Sequence, residues 1–428
     1  MTPVSTLQCP APTVGIIGSG PSGCYTAQFL RKGLPGAQIT VFESLPVPYG
    51  LVRYGVAADH QGTKSVSQQF DRLFERGQAT FVGNVRIGRD VSFEAVARAF
   101  DVVVIATGMP QDRRLPVPQD AAARVIGAGR LLRALNGFPA GLGRHSAPLG
   151  RDVVVIGHGN VAVDVVRLLT KRSDELVGSD IDDHVLSLLR PRRLRSVRLM
   201  GRSSVENAKF DLAMLRELCQ VDGVRIRVEG LRDSSRGVAV DLLRSHEEGR
   251  GAASMAEDGT DRTLVTIQFE AVPTRIRHAN SMTSLEAMCG PSAEPRSYHA
   301  DTIVTATGFC QDEEPCPGTP DTAWSGGHVY RVGWLGRGAQ GNIAANRKHA
   351  QGVAGQIVAD LAGGRIVAGR GPGLQEILPQ LEKTPTSFSA WREIDRVERE
   401  RAAAGRCRRK ITDISEMVAL AQQSMVSA

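Results

Sequence analysis

Two segments of the chain, at residues 14–23 and 153–162, place closely spaced glycines between an apolar strand pattern and a helix pattern. This arrangement is typical of dinucleotide-binding turns, in which glycines let the backbone approach a pyrophosphate at the positive end of a helix. The next strand pattern after the first segment ends in an acid, Glu43, whereas the matching one after the second ends in Gly201-Arg202. A carboxylate at that place binds free ribose hydroxyls, and an arginine accommodates a 2′-phosphate. The residues therefore predict an FAD site, an NADP site and hydride transfer between them.

The glycines of the first segment have distinct expected tasks. Gly18 permits the tight turn, Gly20 lets backbone amides approach the FAD pyrophosphate, and Gly23 allows the helix to pack closely on the strand. The helix pattern begins near Pro21 and directs its positive end at the phosphates. Either segment alone could be a packing turn in an unrelated α/β protein. Two segments, each with a suitable residue at the next strand end, favour the cofactor interpretation.

Strand and helix patterns alternate around both segments. They predict an α/β fold with two Rossmann-like dinucleotide-binding domains, each built on a parallel sheet with helices on both faces. Two apolar runs end in the same Ala-Thr-Gly turn, at residues 101–108 and 301–308. This repeat indicates an NADP domain inserted into the FAD domain. We expect the FAD domain at 1–110 and 309–428, and the NADP domain at 111–308.

Two further stretches of the chain lie outside the repeated strand and helix patterns. Residues 231–261 are rich in Ser, Gly, Arg and Glu, which favours a loop with one short strand at 237–242. Residues 391–428 are strongly charged and then amphipathic, and we expect one or two surface helices there that complete the fold.

Composition sets the broad class of protein. The chain has 428 residues, 42% of them hydrophobic and 23% charged, as in an ordinary soluble globular protein. Its seven cysteines contain no Cys-x-x-Cys pair, which argues against a dithiol, zinc or iron–sulfur site and favours reduced structural thiols. Residues 1–13 carry no leader pattern, and no apolar run approaches the roughly 18 residues of a membrane helix. We expect a cytoplasmic protein without membrane insertion.

The net charge is +7, and the excess of basic residues is unevenly distributed along the chain, with one dense cluster. The cluster consists of Arg190, Arg192, Arg193, Arg195 and Arg198. Such clusters are usually solvated faces, but this one is also a candidate docking patch for an acidic electron-carrier protein. No aromatic residues that could stack on bases are interleaved with it, so nucleic acid is not an expected partner.

Several longer motifs make the chain similar to a known family. It resembles the adrenodoxin reductase family, the NADPH:ferredoxin oxidoreductases of the mitochondrial and actinobacterial type. The likeness covers nearly the whole chain and is weakest between about 230 and 300. The matching motifs lie at residues 18–23, 46–60, 83–90, 157–164, 332–334, 336–338 and 391–395.

The resemblance implies roles for individual residues. Family positions that hold FAD or lie beside its isoalloxazine ring are matched by Ser22, Glu43, Leu51, Ile87, Trp334, Gly341, Asn342 and Ile343. Positions of the NADP pyrophosphate loop and the 2′-phosphate contact are matched by His158, Gly159, Asn160, Val161 and Arg202. Polar groups that order the site near the reacting rings are matched by His60, Asp164 and Glu217.

Considered without the resemblance, two of these residues have simpler explanations. His60 beside Asp59 is as readily a hydrogen-bonded loop residue, and Trp334 between glycines is as readily a core residue. Hydride transfer is chiefly the cofactors' own chemistry, so we assign no essential general base.

The sequence departs from the family pattern near the second site. Ser203 and Ser204 follow Arg202 where the family has a second arginine and a proline. Ser203 is still a candidate cofactor contact, because its hydroxyl can donate a hydrogen bond to phosphate, but charge-assisted contacts are about twice as strong. We therefore expect a smaller preference for NADPH over NADH than in the family. Asn342, where an apolar residue is usual, would place an amide near the flavin.

The resemblance implies a ferredoxin–NADP⁺ reductase, in which hydride passes from NADPH to FAD and single electrons pass to an iron–sulfur ferredoxin. We expect a monomer. Two alternatives stay open. An NAD(P)H diaphorase or quinone reductase would use the same cofactors with another acceptor. A flavin-bound interaction protein would have lost nicotinamide turnover, and the residues at 203 and 342 are compatible with such a loss.

Overall fold

The computed structural model describes residues 10–251, 262–311 and 324–426. One sheet contains β1 (Thr13–Ile17), β2 (Gln38–Phe42), β3 (Thr80–Val82), β4 (Val102–Ile105) and β16 (Val329–Arg331). All its pairings are parallel, in the order β16-β4-β1-β2-β3. β1 and β4 are buried along their whole length, as expected for strands of a parallel sheet covered on both faces.

A second parallel sheet is built from the middle of the chain. Its strands are β6 (Val125–Gly127), β7 (Asp152–Ile156), β8 (Ser196–Met200), β9 (Val224–Glu229), β10 (Thr263–Gln268) and β14 (Thr302–Thr305). They lie in the order β6-β14-β7-β8-β10-β9. Beside it lies an antiparallel sheet of β11 (Ala271–Ala279), β12 (Met282–Cys289) and β13 (Glu294–Ala300), which the sequence did not predict.

A two-stranded ribbon joins the two parallel sheets. β5 (Gln111–Asp112) and β15 (Phe309–Cys310) pair in antiparallel fashion where the chain passes into the second unit and out of it. After β15 the chain returns to pair β16 with β4 of the first sheet. The predicted fold class, with one Rossmann-like domain inserted into another, is thereby confirmed.

The helices cover both parallel sheets. In chain order they are α1 (Pro21–Gly33), α2 (Leu51–Tyr54), α3 (Gln61–Lys64), α4 (Ser67–Glu75), α5 (Phe93–Ala99), α6 (Ala128–Leu135), α7 (Asn160–Thr170), α8 (Asp183–Leu189), α9 (Leu212–Cys219), α10 (Val238–Gly251), α11 (Trp334–Arg337), α12 (Ile343–Ala362), α13 (Leu374–Ile377), α14 (Phe388–Glu400) and α15 (Ile414–Val426). α14 and α15 are the predicted C-terminal helices. Within the described ranges, no helix has the length and apolar character needed to cross a membrane.

The predicted short strand at 237–242 is wrong, because α10 begins at Val238. Val240 and Leu243 are both buried, and their spacing of three residues is that of one helix face rather than of alternating strand positions. Residues 252–261, which were also expected to form a loop, lie outside the described residues.

Candidate functional site

The turn between β1 and α1 has the steric requirements of a phosphate-binding turn. Gly18 has φ +109°, and a Cβ there would lie 2.6 Å from the carbonyl oxygen of Ala106. A Cβ at Gly23 would lie 2.0 Å from the carbonyl oxygen of Gly18. In contrast, a Cβ at Gly20 would meet no atom within 4 Å, so this face of the turn is open to a ligand. The turn therefore has the shape that an FAD pyrophosphate requires.

Glu43 follows β2 and faces the same turn. Its Oε2 accepts hydrogen bonds from the Ser19 backbone amide (3.2 Å) and the Ser19 hydroxyl (2.6 Å). Its Oε1 accepts one from the Leu45 amide at 3.2 Å. The carboxylate is thus fixed at the carboxyl edge of the first sheet, where a ribose would lie next to the glycine turn.

The C-terminal part of the chain returns to this edge. Gly333 has φ +72°, and a Cβ there would lie 2.2 Å from Ser22 Oγ, so α11 begins against the start of α1. The Trp334 ring stacks on Phe309 with centroids 5.1 Å apart. The Trp334 indole N–H is buried and has no partner among the described residues. A buried donor of this kind fits a site completed by a bound cofactor.

Leu51 and Ile87 are apolar residues on the side of the first glycine turn: Gly50, which precedes Leu51, lies next to Gly20, and Ile87 shares a core with Ile17 at the end of β1. Leu51 begins α2 and is half-buried, and Ile87 is buried in a core shared with Phe42. Gly341 has φ +77° and precedes Asn342, whose Oδ1 accepts a hydrogen bond from the Ala345 amide at 3.2 Å. Asn342 is therefore the N-cap of α12, which begins at Ile343, and this explains a polar residue at that position.

The turn between β7 and α7 repeats the geometry of the first. Gly157 has φ +136°, and a Cβ there would lie 2.5 Å from the carbonyl oxygen of Ala306, while Gly159 is open. Each glycine turn therefore packs on one of the two Ala-Thr-Gly strand ends that the sequence repeats. Both sheets carry an equivalent nucleotide-binding edge.

His158 and Asn160 use their side chains within the protein. His158 is buried and packs on Phe269, with ring centroids 4.8 Å apart, and burial lowers its pKa to about 4. Asn160 donates to Asp211 Oδ2 at 2.5 Å and accepts from the Asp211 amide at 2.7 Å. Val161 is half-buried against the core. Only the backbone of this segment can therefore face a pyrophosphate.

The structure brings His60, Asp164 and Glu217 together although they are far apart in the chain. His60 Nε2 lies 2.9 Å from Glu217 Oε2, and His60 Nδ1 lies 3.8 Å from Asp164 Oδ1. His60 precedes α3 of the first unit, whereas Asp164 and Glu217 are on α7 and α9 of the second. The cluster therefore links the two nucleotide-binding units.

Arg167, which the sequence analysis missed, lies at the centre of this cluster. Its guanidinium is fully buried and contacts Glu217 (2.7 Å), Asp59 (2.9 Å) and Asp164 (3.4 Å). Its Nη2 also lies 2.6 Å from His60 Nε2. The available clue was a lone arginine in the apolar run that forms α7, because such a residue must be buried with charged partners.

The charges of the cluster leave one carboxyl group poorly compensated. Three carboxylates, Asp59, Asp164 and Glu217, face only two permanent cations, Arg167 and Lys171, whose Nζ lies 2.6 Å from Asp59. Burial raises the pKa of Asp164 to about 6, although Arg167 and His60 act in the opposite direction. Asp164 therefore keeps its proton to a higher pH than an ordinary carboxyl group does.

Arg202 and Ser203 line a cleft of about 670 Å³ at the carboxyl end of β8. Arg202 is exposed, and no hydrogen-bond partner is found for it among the described residues. The other lining residues are Ser204, Glu206, Asn207, Arg232, Ser234, Ser235 and Glu270. Guanidinium and hydroxyl donors at this edge of a parallel sheet suit a phosphate group.

Four arginines of the basic cluster have intramolecular partners. Arg190 donates to the carbonyl oxygens of Leu169 and Lys171, and Arg193 donates to that of Gly223. Arg195 pairs with Asp152, and Arg198 pairs with Glu229. Arg192 is exposed. The charge offered to a partner is therefore smaller than the five residues suggest.

Comparison with known proteins gives consistent matches over almost the whole chain. Residues 12–227 match the family Pyridine nucleotide-disulphide oxidoreductase. The chain is 38% identical to cindoxin reductase of Citrobacter braakii over 427 residues, covering 96% of this chain and 91% of that protein. It is 30% identical to mitochondrial NADPH:adrenodoxin oxidoreductase of Homo sapiens, covering 96% and 92%. The structure of Mycobacterium tuberculosis FprA in complex with NADPH matches with a TM-score of 0.83 at 28% identity, covering 96% and 100%.

Proposed function

The chain belongs to the pyridine nucleotide-disulphide oxidoreductases and, among them, to the adrenodoxin reductase family, and on that premise we propose that it is an FAD-dependent NADPH:ferredoxin oxidoreductase. The observation that carries the proposal is the presence of two equivalent glycine turns on two sheets, with an acid after β2 and an arginine after β8. An enzyme that joins a two-electron donor to a one-electron acceptor needs both sites in one molecule.

The residues fit the two cofactors as follows. When bound, the flavin accepts hydride from NADPH and releases electrons singly. The open turn at Gly20 and the carboxylate of Glu43 would hold its pyrophosphate and ribose, and Ser22, Leu51, Ile87, Trp334 and the 341–343 turn would line it. The open turn at Gly159 and the backbone of residues 158–161 would hold the NADPH pyrophosphate, with Arg202 and Ser203 at the 2′-phosphate.

We propose that His60, Asp164 and Glu217 order the region where the reacting rings meet. Arg167 holds all three in place, because its guanidinium contacts each of them. Since His60 belongs to one unit and the carboxylates to the other, the same contacts fix the approach of NADPH to FAD. The net oxidation of NADPH by a one-electron acceptor releases one proton, which is freed after hydride transfer, when the two electrons leave for the acceptor. The raised pKa of Asp164 makes this carboxyl group a suitable temporary acceptor of that proton.

We also propose that the domain limits are 1–110 and 309–428 for the FAD domain and 111–308 for the NADP domain. The ribbon of β5 and β15 lies at both crossings, and β16 completes the first sheet, which supports these limits. Limited proteolysis of the FAD-loaded protein would test them, since cleavage should occur next to the ribbon rather than within either sheet.

We propose an acidic ferredoxin as the partner and keep the cluster Arg190, Arg192, Arg193, Arg195 and Arg198 as its docking patch. The net charge of +7 and the exposed Arg192 support this, whereas the other four arginines are held by intramolecular contacts. Arg192→Glu should raise the KM for ferredoxin and leave NADPH-dependent reduction of a small dye unchanged. Arg275→Glu, an exposed change on β11, is the control. An unchanged ferredoxin KM in Arg192→Glu would refute the docking patch.

The natural acceptor is tested by direct competition. The FAD-loaded protein with NADPH should reduce a ferredoxin faster than a quinone at equal concentration. Faster quinone reduction would favour the diaphorase alternative. We propose that the protein acts as a monomer, and sedimentation velocity of the FAD-loaded protein would reveal a dimer if this is wrong.

A further inference from the structure

The cleft after β8 contains a second guanidinium that comes from a distant part of the chain. Arg232 follows β9, 30 positions after Arg202, and both residues line the cleft. The sequence has Ser203 where the family has its second arginine next to Arg202. In this structure, Arg232 from another loop therefore brings a positive charge to the cleft that lacks the family's second arginine at position 203.

Hydrogen bonds with Glu270, which lies between β10 and β11, hold Arg232 in this position. Arg232 Nε donates to Glu270 Oε2 at 3.2 Å, and its Nη2 donates to Glu270 Oε1. The Glu270 amide donates to the Ser203 carbonyl oxygen at 3.1 Å, and the Ala271 amide donates to that of Gly201 at 3.0 Å. The hydrogen bond from Glu270 to Ser203 connects Glu270, which holds Arg232, to the turn that carries Arg202. Arg232 Nη1 is not used by Glu270, so its hydrogens are available to an anion in the cleft.

A carboxylate of the chain itself also lines the cleft. Glu206 is exposed and lines the cleft together with Ser204 and Ser235. Both serines line the cleft together with the two arginines. The hydroxyl groups of the cleft suit an anion, whereas the negative charge of Glu206 repels a ligand phosphate that enters the same cleft.

We propose that Arg232 and Glu206 determine how strongly this protein selects the 2′-phosphate of its nicotinamide cofactor. Arg232 is the second cationic contact, and Glu206 is an internal anion that weakens the site. The inference rests on the proposed function, because it takes the second glycine turn to bind NADP(H). It adds to that function two residues outside the motif that carries the family's 2′-phosphate contact, and it implies that Arg232 restores part of the preference lost at Ser203.

The test is calorimetric binding to the FAD-loaded protein, with 2′-phospho-ADP-ribose and ADP-ribose as probes. Arg232→Ala should weaken binding of the 2′-phosphorylated probe by about 10-fold or more and change ADP-ribose binding by less than about 2-fold. Arg232→Lys should fall between wild type and Arg232→Ala, because it keeps the charge but loses the bidentate contact with Glu270. Arg227→Ala, an exposed change on β9 outside the cleft, is the matched control.

Glu206→Gln tests, with the same probes, whether removal of the negative charge strengthens binding. It should strengthen binding of 2′-phospho-ADP-ribose several-fold and leave ADP-ribose unchanged, because it removes a negative charge from the cleft. Equal affinities of wild type and Arg232→Ala for the 2′-phosphorylated probe would overturn the role of Arg232. Weaker or unchanged binding in Glu206→Gln would overturn the role of Glu206. Wild-type protein that binds neither probe would instead refute the NADP site, and with it the proposed function.

Discussion

The buried carboxyl group of Asp164 makes a quantitative prediction about stability. Its pKa is raised from 3.8 to about 6, mainly by burial, so the folded protein favours the protonated form more than the unfolded chain does. The stability that comes from this proton is fully present below pH 3.8 and is lost as the pH rises through 6. A difference of about two pKa units corresponds to about 3 kcal/mol. Asp164→Asn removes the titrating group and should remove this loss.

Urea unfolding of the FAD-loaded protein between pH 3.5 and 8, settings that bracket the ordinary pKa of 3.8 and the folded pKa of about 6, tests the prediction. The free energy of unfolding of wild type, relative to that of Asp164→Asn, should fall by about 3 kcal/mol across this interval. Asp174→Asn is the control, because Asp174 is 71% exposed and pairs with the exposed Arg172. Because it breaks an exposed ion pair, it should change the free energy of unfolding by less than about 1 kcal/mol.

One result would refute the reasoning on Asp164. If wild type gained stability relative to Asp164→Asn as the pH rose, the attraction of Arg167 at 3.4 Å would outweigh the burial of the carboxyl group. Asp164 would then be ionised throughout the neutral range. The role of this residue as a temporary proton acceptor would be lost as well.

Three further predictions concern the cofactor turns and the buried arginine. Glu43→Ala should release FAD on gel filtration, measured as a lower ratio of flavin to protein absorbance, and retention of full flavin would contradict the assigned ribose contact. Gly23→Ala should lower the melting temperature of the apoprotein, because its Cβ would lie 2.0 Å from the Gly18 carbonyl oxygen. Gly20→Ala should leave the melting temperature of the apoprotein unchanged and weaken FAD binding. Equal effects of the two variants would contradict this assignment. Arg167→Met should lower the free energy of unfolding by about 3–5 kcal/mol. The control Arg396→Met breaks exposed ion pairs and should lower it by less than about 1 kcal/mol. Similar losses in the two variants would show that the buried cluster is not stabilising.

The sequence predicted the parts of the fold that follow from local pattern. Both glycine turns, the acid at Glu43, the arginine at 202 and the repeated strand ends are local features. The structure shows why they occur together: the carbonyl oxygens of Ala106 and Ala306 pack against Gly18 and Gly157. The convergence of His60 with Asp164 and Glu217 was available only from the resemblance, because no local pattern relates residues so far apart.

The features that were missed depend on tertiary packing. Arg167 resembles a misplaced charge in an apolar helix until His60 and Asp59 of the other unit are placed beside it. The guanidinium of Arg232 is held in the cleft by Glu270, 38 residues later in the chain. The apolar residues of α10 allow either a strand or a helix, and burial on one face decides for the helix.

The most direct test of the central claim is anaerobic mixing of the FAD-loaded protein with NADPH, followed by oxidised ferredoxin. NADPH should bleach the flavin absorbance band, and ferredoxin should restore it while becoming reduced. A flavin band that NADPH leaves unchanged would contradict the proposed reductase activity and would favour a flavin-bound interaction protein without nicotinamide turnover.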